Sequence, residues 1–327
     1  MNPSTDVYIN HIGYALGSSV CHVDDSAKNG LVFSDPSALT EAGFEFHHIA
    51  GEAQSVSNLA ADAINNMLHA ADSPKDRLAA IDILLFATCL PQNGNLGSSS
   101  QYESTRDVKH LMDFPASHIQ AELGMSNASV MGINQQACTS LLGSIRVANA
   151  LLRSESDLQN VLCVTADRFP PGAKYEQGYN LISDGAAACV LSRRRSGFRV
   201  VGSHHITNGA MAQASDEETA GFYFNYTHRL ITEALNKCGR VIGDINWIVS
   251  QNTNPKAWRI LSSLLGFDFQ QVVAPTMGKI GHCISGDNLI NLKVLANEQR
   301  LKSGDVLLLP MAGFGLNWSC VILEKVD

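Results

Sequence analysis

A cysteine stands where a short apolar stretch gives way to a helical pattern in MGINQQACTSLLGSIRVANALL, residues 131–152. A thiol with a reference pKa of about 8.5 is mostly protonated at neutral pH. The unpaired N–H groups and partial positive charge of a helix N-terminus favour the thiolate, the form that attacks an electrophilic carbon. Cys138 is therefore a candidate nucleophile; the alternative is a small core residue, a place free cysteines fill well. In the second half of the chain, GHCISGDNLINL (281–292) sets His282 five residues before Asp287, at the start of another helical pattern. An imidazole can act as a general base near neutral pH, with a carboxylate fixing its tautomer. A core histidine and a cap for the helix beginning at Asn288 are the structural alternatives for these two.

Chemistry at these positions requires elements that bring residues 138 and 282 together. Continuous apolar runs recur at IDILLFATC (81–89), NVLCVTA (160–166), AAACVLS (186–192), INWIVSQ (245–251) and DVLLLPMAG (305–313). Such runs read as strands covered on both faces, as in α/β sheets. Helical patterns lie between them at 57–71, after Cys138, at 228–238 and at 288–301. The order repeats. A helix followed by IDILLFATC matches a helix followed by INWIVSQNT, and MGINQQACTSLLGSIRVANAL (131–151) lies beside MGKIGHCISGDNLINLKVLAN (277–297). NVLCVTADRF is then echoed by DVLLLPMAGF, which argues for a duplicated α/β unit. The boundary falls near 193–197, giving an N-terminal half 1–195 that carries Cys138 and a C-terminal half 196–327 that carries His282 and Asp287. Pseudo-symmetry would place the two helix starts together at the centre of the molecule.

Composition excludes several other roles. The 327 residues are 45% hydrophobic, enough to bury a large core. A net charge of −8 without a long basic run argues against binding nucleic acid. The N-terminus lacks a signal-peptide pattern, and no apolar run approaches the roughly 20 residues that cross a bilayer. A cytoplasmic protein is expected, with no membrane partner. The eight cysteines form no CxxC pair, and Cys89, Cys163, Cys189 and Cys320 read as buried reduced thiols in or beside strands. His47-His48 and His204-His205 lack ligand spacing and read as surface or loop residues, so no metal site is expected.

At this point the chain resembles the thiolase superfamily, and within it β-ketoacyl-acyl-carrier-protein synthase III. GFEFHHIA (43–50), INQQACTSLLGSI, SDGAAACVLS (183–192), WIVSQNTNPKAWRIL (247–261) and AGFGLNWSCVIL (312–323) carry the resemblance in the family's order. It implies a thiolase-type αβαβα five-layer sandwich of two duplicated halves, paired as a dimer through the first half's sheet. Two positions depart from the synthase pattern. Gln251, in Gln251-Asn252-Thr253-Asn254, stands where that family has a catalytic histidine, and His282 stands where ordinary condensing enzymes carry asparagine. Gly281, His282, Gly286, Asp287 and Asn291 instead resemble a branch of synthase III-like acyltransferases of specialised metabolism, which use a Cys-His-Asp set.

The resemblance implies an enzyme that takes an acyl group from acyl-CoA or an acyl-carrier protein onto Cys138 and passes it to an O, N or C nucleophile of a small-molecule acceptor. The phosphopantetheine thioester is substrate, and no cofactor is expected. The oxyanion of each tetrahedral intermediate needs N–H donors, here from Cys138 and from the glycine-rich loop at Phe314 and Gly315. Gln251 is expected among the catalytic residues, as a hydrogen-bond donor that cannot carry a proton, and Asn254 is expected to line the pocket; loop hydrogen bonding at a strand end is the alternative for both. Trp258 and Arg259 read as packing and surface residues, and Ser183 and Asp184 as a turn. A carbon–carbon-forming ketosynthase with an altered site is one alternative. The other is a non-catalytic subunit of a hetero-oligomer, which the loss of the histidine at 251 favours and the intact NQQACTS segment opposes. A homodimer is the expected assembly.

Overall fold

The computed structural model describes residues 6–69, 73–178 and 180–326; residues 70–71 of the expected helix 57–71 lie outside them. Ten strands form the main sheet: β1 (Tyr8–Leu16), β2 (Ile83–Ala87), β3 (Ser129–Ile133), β4 (Asn160–Asp167), β5 (Gly185–Ser192), β6 (Phe198–Thr207), β7 (Trp247–Val249), β8 (Val272–Val273), β9 (Val306–Gly313) and β10 (Asn317–Lys325). Their order is β8-β7-β9-β10-β6-β1-β5-β4-β2-β3. Outward from the middle, the two halves read β1-β5-β4-β2-β3 and β6-β10-β9-β7-β8. In each, the first two pairings are antiparallel and the outer two parallel. The halves join through β1 and β6, where Tyr8 faces Arg199 and Ile9 faces Phe198.

Helices complete the layers. α1 (Val56–Leu68) covers the first half; α3 (Asp216–Lys237) and α4 (Pro255–Leu265) cover the second; α2 (Ser140–Ser154) and α5 (Asp287–Asn297) lie between. Three buried clusters follow from this stacking. Leu59, Ala63 and Ile64 of α1 pack on Leu84 and Phe86 of β2 in one outer layer. Leu230, Ile231 and Ala234 of α3 pack on Leu308, Trp318 and Ile322 in the other. The largest cluster joins Leu141, Leu142 and Ile145 of α2 to Leu289, Ile290 and Leu292 of α5, and both to strands of either half. A helix buried all round must satisfy its polar groups internally. Asn288 of α5 accordingly donates to the carbonyls of Val249 and Pro310 at 2.8 and 3.0 Å.

The five-layer arrangement and the doubly covered strands match the sequence reading, with differences of detail. The helix expected over 228–238 begins at Asp216, where Ser215 and Glu218 form a capping box. β1 and β6, which join the halves, were not among the expected strands. The repeat is one residue out of the register given by the Met-Gly pairs. Met131-Gly132 lies in the edge strand β3, but Met277-Gly278 lies in the helical turn Met277–Ile280. The turns Ala137–Thr139 and Ile284–Gly286 correspond, each leading directly into a central helix. Their first residues share a left-handed backbone, with φ of 46° at Ala137 and 43° at Ile284.

Two further expectations are corrected. The histidine pairs lie on strands rather than on the surface or in loops. His47 is fully buried in the strand Phe46–Ile49, donating to the Ile182 carbonyl and accepting from Ser26. His204 on β6 is buried beside Glu233 and Lys237. Ser183 and Asp184 are likewise no exposed turn. The buried Asp184 carboxylate accepts from the Ala50 and Phe169 amides and the Tyr175 hydroxyl, and so ties three segments together.

Gly13 marks the closest approach between β1 and α1: a Cβ there would stand 2.4 Å from the Met67 amide nitrogen. Backbone cannot yield as a side chain can, so Gly13→Ala should destabilise the chain by about 1–3 kcal/mol. Gly243→Ala, in open space, should leave stability nearly unchanged; denaturant midpoints of the two variants check this.

Candidate active site

The sequence places a tight turn between β3 and α2, and that turn presents Cys138. The Thr139 amide and hydroxyl both bond the Gln136 carbonyl, at 3.0 and 2.7 Å, and the left-handed Ala137 turns the chain immediately before the cysteine. Non-glycine residues held in this conformation concentrate at functional sites. The end of β9 lies against the turn. A Cβ on Gly313 would stand 2.8 Å from the Cys138 amide nitrogen, so only glycine permits the contact. Cys138 is almost fully buried and forms part of the wall of a cavity of about 290 Å³.

His282 reaches the same cavity from the second half. Gly281 has φ of 61° and lies so close to the Leu181 carbonyl that a Cβ would be 2.6 Å from it. The His282 amide then donates to Leu181 O at 2.7 Å, and the His282 carbonyl accepts from the Ser183 amide at 2.9 Å. This short parallel bridge sews the second half's loop onto the first. The His282 side chain donates from Nδ1 to Oδ2 of Asp287, which leaves Nε2 as the ring nitrogen free to serve Cys138, with which His282 lines the same cavity. Asp287, fully buried, also accepts from the Asn252 and Cys283 amides, each at 2.7 Å. The helix starts meet directly as well, through Ser140 Oγ and Ser285 Oγ at 2.8 Å.

Electrostatics follow from this geometry. Burial alone would lower the His282 pKa. The charge and hydrogen bond of Asp287, with the contact to Cys138, outweigh it and raise the group to about 10. The Cys138 thiol moves the other way, to about 5. The neighbouring thiol of Cys89 contributes most; burial opposes it, and the facing imidazole of His282 adds to it. Both directions favour a thiolate beside an imidazolium.

The other expected site residues are placed as follows. Gln251 lines the cavity, and its Oε1 accepts from the Ala312 amide at 2.7 Å. That fixes the amide's orientation and leaves it a donor toward any further partner. Asn254 also lines the cavity, but its side-chain oxygen caps α4 by accepting from the Lys256 amide at 3.0 Å. Phe314 is 43% exposed in the turn between β9 and β10 and lines the cavity that Cys138 also lines. Gly315, at φ of 114°, makes that turn possible. Trp258 is buried and Arg259 lies over the Phe269 ring, as expected of packing and surface residues.

Sequence reasoning missed a buried amide network behind the site. Asn252 donates to Thr276 Oγ1 and to the Gly281 carbonyl at 3.0 and 2.6 Å, and accepts from Asn291 at 2.9 Å. It thus fixes the loop that carries His282. It also missed the cavity's aromatic wall of Tyr223, Phe224 and Trp318. Hydrophobic periodicity marks such residues only as helix or strand positions, which leaves no sequence signal for a wall.

Comparison with known proteins agrees with this architecture. The family model described as 3-oxoacyl-[acyl-carrier-protein] synthase III matches residues 133–209, and the model of its C-terminal part matches residues 235–325. Together they span just over half of the chain. The β-ketoacyl-[acyl-carrier-protein] synthase III of Chlamydia caviae is 26% identical over 323 residues, covering 90% of each chain. Among solved structures, the 3-oxoacyl-[acyl-carrier-protein] synthase III of Aquifex aeolicus superposes with a TM-score of 0.78 at 20% identity, over 98% of this chain and 100% of that one. The acyltransferase ChlB3 gives 0.81 at 19% identity, over 98% of both. Duplicated sheet, buried cysteine turn and family models coincide: the chain belongs to the β-ketoacyl-[acyl-carrier-protein] synthase III-like family of thiolase-fold acyl-transferring and condensing enzymes.

Proposed function

We propose that this enzyme is an acyltransferase that loads an acyl group onto Cys138 from an acyl-CoA or acyl-carrier-protein thioester and passes it to an oxygen or nitrogen nucleophile in a biosynthetic pathway of specialised metabolism. The relay Cys138–His282–Asp287 carries this reading. The Cys138 thiolate attacks the thioester carbonyl and the carrier thiolate leaves, taking the proton from His282. The imidazole, now neutral and no longer facing a thiolate, accepts the proton of the incoming hydroxyl or amine as that group attacks the acyl carbon. Collapse of the second tetrahedral intermediate restores the Cys138 thiolate and the His282 imidazolium. The backbone N–H groups of Cys138 and Phe314 serve as oxyanion donors, a contribution of about 3–4 kcal/mol for each donor in comparable sites.

The occupant of position 251 supports transfer over condensation. Stabilising an enolate after decarboxylation calls for two donors, usually histidine and asparagine. Here the single imidazole is tied to a carboxylate, which equips it as a base, and Gln251 holds the end of β9. The cavity accommodates an acyl group of several carbons against its aromatic wall.

Mixing the pure chain with a panel of acyl-CoA and acyl-carrier thioesters should add one acyl mass to the wild type and none to Cys138→Ala, read by intact-protein mass spectrometry. His282→Ala should still acylate, more slowly, and should lose about 10²-fold or more in transfer to an acceptor. Failure of every donor to acylate would sink the enzyme reading and leave that of a partner subunit.

The depressed Cys138 pKa and raised His282 pKa also set a pH window. The thiolate is present above about pH 5 and is lost as pH falls through that value. Alkylation of Cys138 by iodoacetamide should therefore remain fast in mildly acidic buffer, and His282→Ala should move its midpoint upward by more than about one unit. An unmoved midpoint would contradict the ion pair.

We also propose a homodimer through the edge strand β3, whose Val130 and Met131 are exposed with one side unpaired. Light scattering should give twice the chain mass of 35.2 kDa, and Met131→Asp should shift the particle toward a single chain.

A further inference from the structure

The buried amides behind the relay close into a ring. Asn252 Nδ2 donates to Thr276 Oγ1 at 3.0 Å, Thr276 Oγ1 donates to Asn291 Oδ1 at 2.6 Å, and Asn291 Nδ2 donates to Asn252 Oδ1 at 2.9 Å. The three residues come from different places: the loop after β7, the loop after β8, and α5. Each amide has one further hydrogen, and both are used. Asn252 gives its own to the Gly281 carbonyl at 2.6 Å, and Asn291 to the Ser250 carbonyl at 3.0 Å. Both asparagines are without solvent contact and Thr276 is nearly so. With every amide and hydroxyl hydrogen committed, the ring can run in one direction only. None of its three members titrates.

We propose that Thr276 and Asn291 are positioning residues: they lock the side chain of Asn252, and Asn252 holds His282 and Asp287 in register for proton transfer. Thr276 precedes the helical turn Met277–Ile280 and Gly281 follows it, so the one Asn252 amide clamps both ends of the segment that delivers His282. The backbone N–H of the same residue donates at 2.7 Å to Asp287 Oδ2, the oxygen that accepts from His282 Nδ1. Asn252 thus holds the mount of the imidazole on one side and its carboxylate partner on the other. Stability alone does not call for such a ring, because apolar groups of the same shape can replace a buried hydrogen-bonded pair at nearly no cost. A fully satisfied polar network instead selects a single arrangement. Apolar side chains could fill the volume but could not grip the Gly281 carbonyl. This role rests on the reading of Cys138, His282 and Asp287 as the relay.

The test compares wild type, Thr276→Val and Thr276→Ser in the full chain without substrate. Thr276→Val removes the hydroxyl at nearly constant volume, and Thr276→Ser keeps it. Alkylation of Cys138 by iodoacetamide is followed across pH by peptide mass spectrometry, and denaturant midpoints verify the fold. The titratable groups beside the thiol, Cys89, His282 and Asp287, are the same in all three proteins. A loosened His282–Asp287 pair holds the imidazolium less well, which weakens its support of the thiolate. Thr276→Val should therefore raise the alkylation midpoint by about half a unit or more, making the reaction about threefold slower below both midpoints. Thr276→Ser should lie close to wild type. An unmoved Thr276→Val, or a Thr276→Ser displaced as far, would overturn the proposal in favour of simple packing. Thr276→Ala repeats the measurement where Thr276→Val does not fold, and failure of both to fold would make the ring a requirement of folding and overturn the proposal too. The His282→Ala control separates the two readings. If it leaves the midpoint unmoved, the relay itself falls; if it moves the midpoint and Thr276→Val does not, only the positioning role falls.

Discussion

The site depends on one buried carboxylate. Asp287 begins α5 in the middle of the molecule, without solvent contact, and receives three N–H donors: the imidazole of His282 and the amides of Cys283 and Asn252. An unpaired charge in such a place would be prohibitive, so these donors are a condition of its presence. In satisfying it, they join the loop after β7, the loop after Gly281 and the start of a central helix into one unit. The orientation of His282 is a by-product of that satisfaction. Removing the carboxylate would therefore disturb two loops as well as the relay.

The duplicated architecture explains why such a unit can form. Each half delivers a central helix whose start is preceded by a tight turn with a left-handed residue, Ala137 in one and Ile284 in the other. Stacking the halves brings the turns together, as Ser140 and Ser285 show. The two turns have taken different chemistry, a thiol in the first and an imidazole with its carboxylate in the second. Neither half alone contains the relay. The short bridge between Ile182 and His282 and the β1–β6 junction hold the halves in register.

Much of this was legible in the sequence, for a physical reason. The doubly buried strands appear as unbroken apolar runs, and Cys138 is marked by the change from strand to helical period. His282 and Asp287 were visible through the repeat, although their meeting depends on the turn at Ile284–Gly286, which no spacing rule supplies. The two strands that join the halves were hidden. Polar Asn10 and His11 interrupt β1, and both strands carry irregularities, between Ile9 and His11 and between Val200 and Gly202, that break the alternation. Cys89 packs against the central core as its apolar run suggests, but past the strand's end, where the chain bends around Asp167. The Asn252–Asn291 contact joins residues 39 positions apart and leaves no local trace.

The meeting of two helix starts has an electrical consequence. Each start contributes roughly half a positive charge, so the centre of the molecule is electropositive before any side chain is counted. Two anionic groups, the carboxylate of Asp287 and the thiolate of Cys138, and one cationic imidazolium bring the region close to neutrality. Acylation by the proposed route removes the thiolate's negative charge and, through proton loss to the departing thiol, the imidazolium's positive one. The sum is unchanged. A core closed to counter-ions can thus pass between its loaded and unloaded forms without moving an ion across the protein.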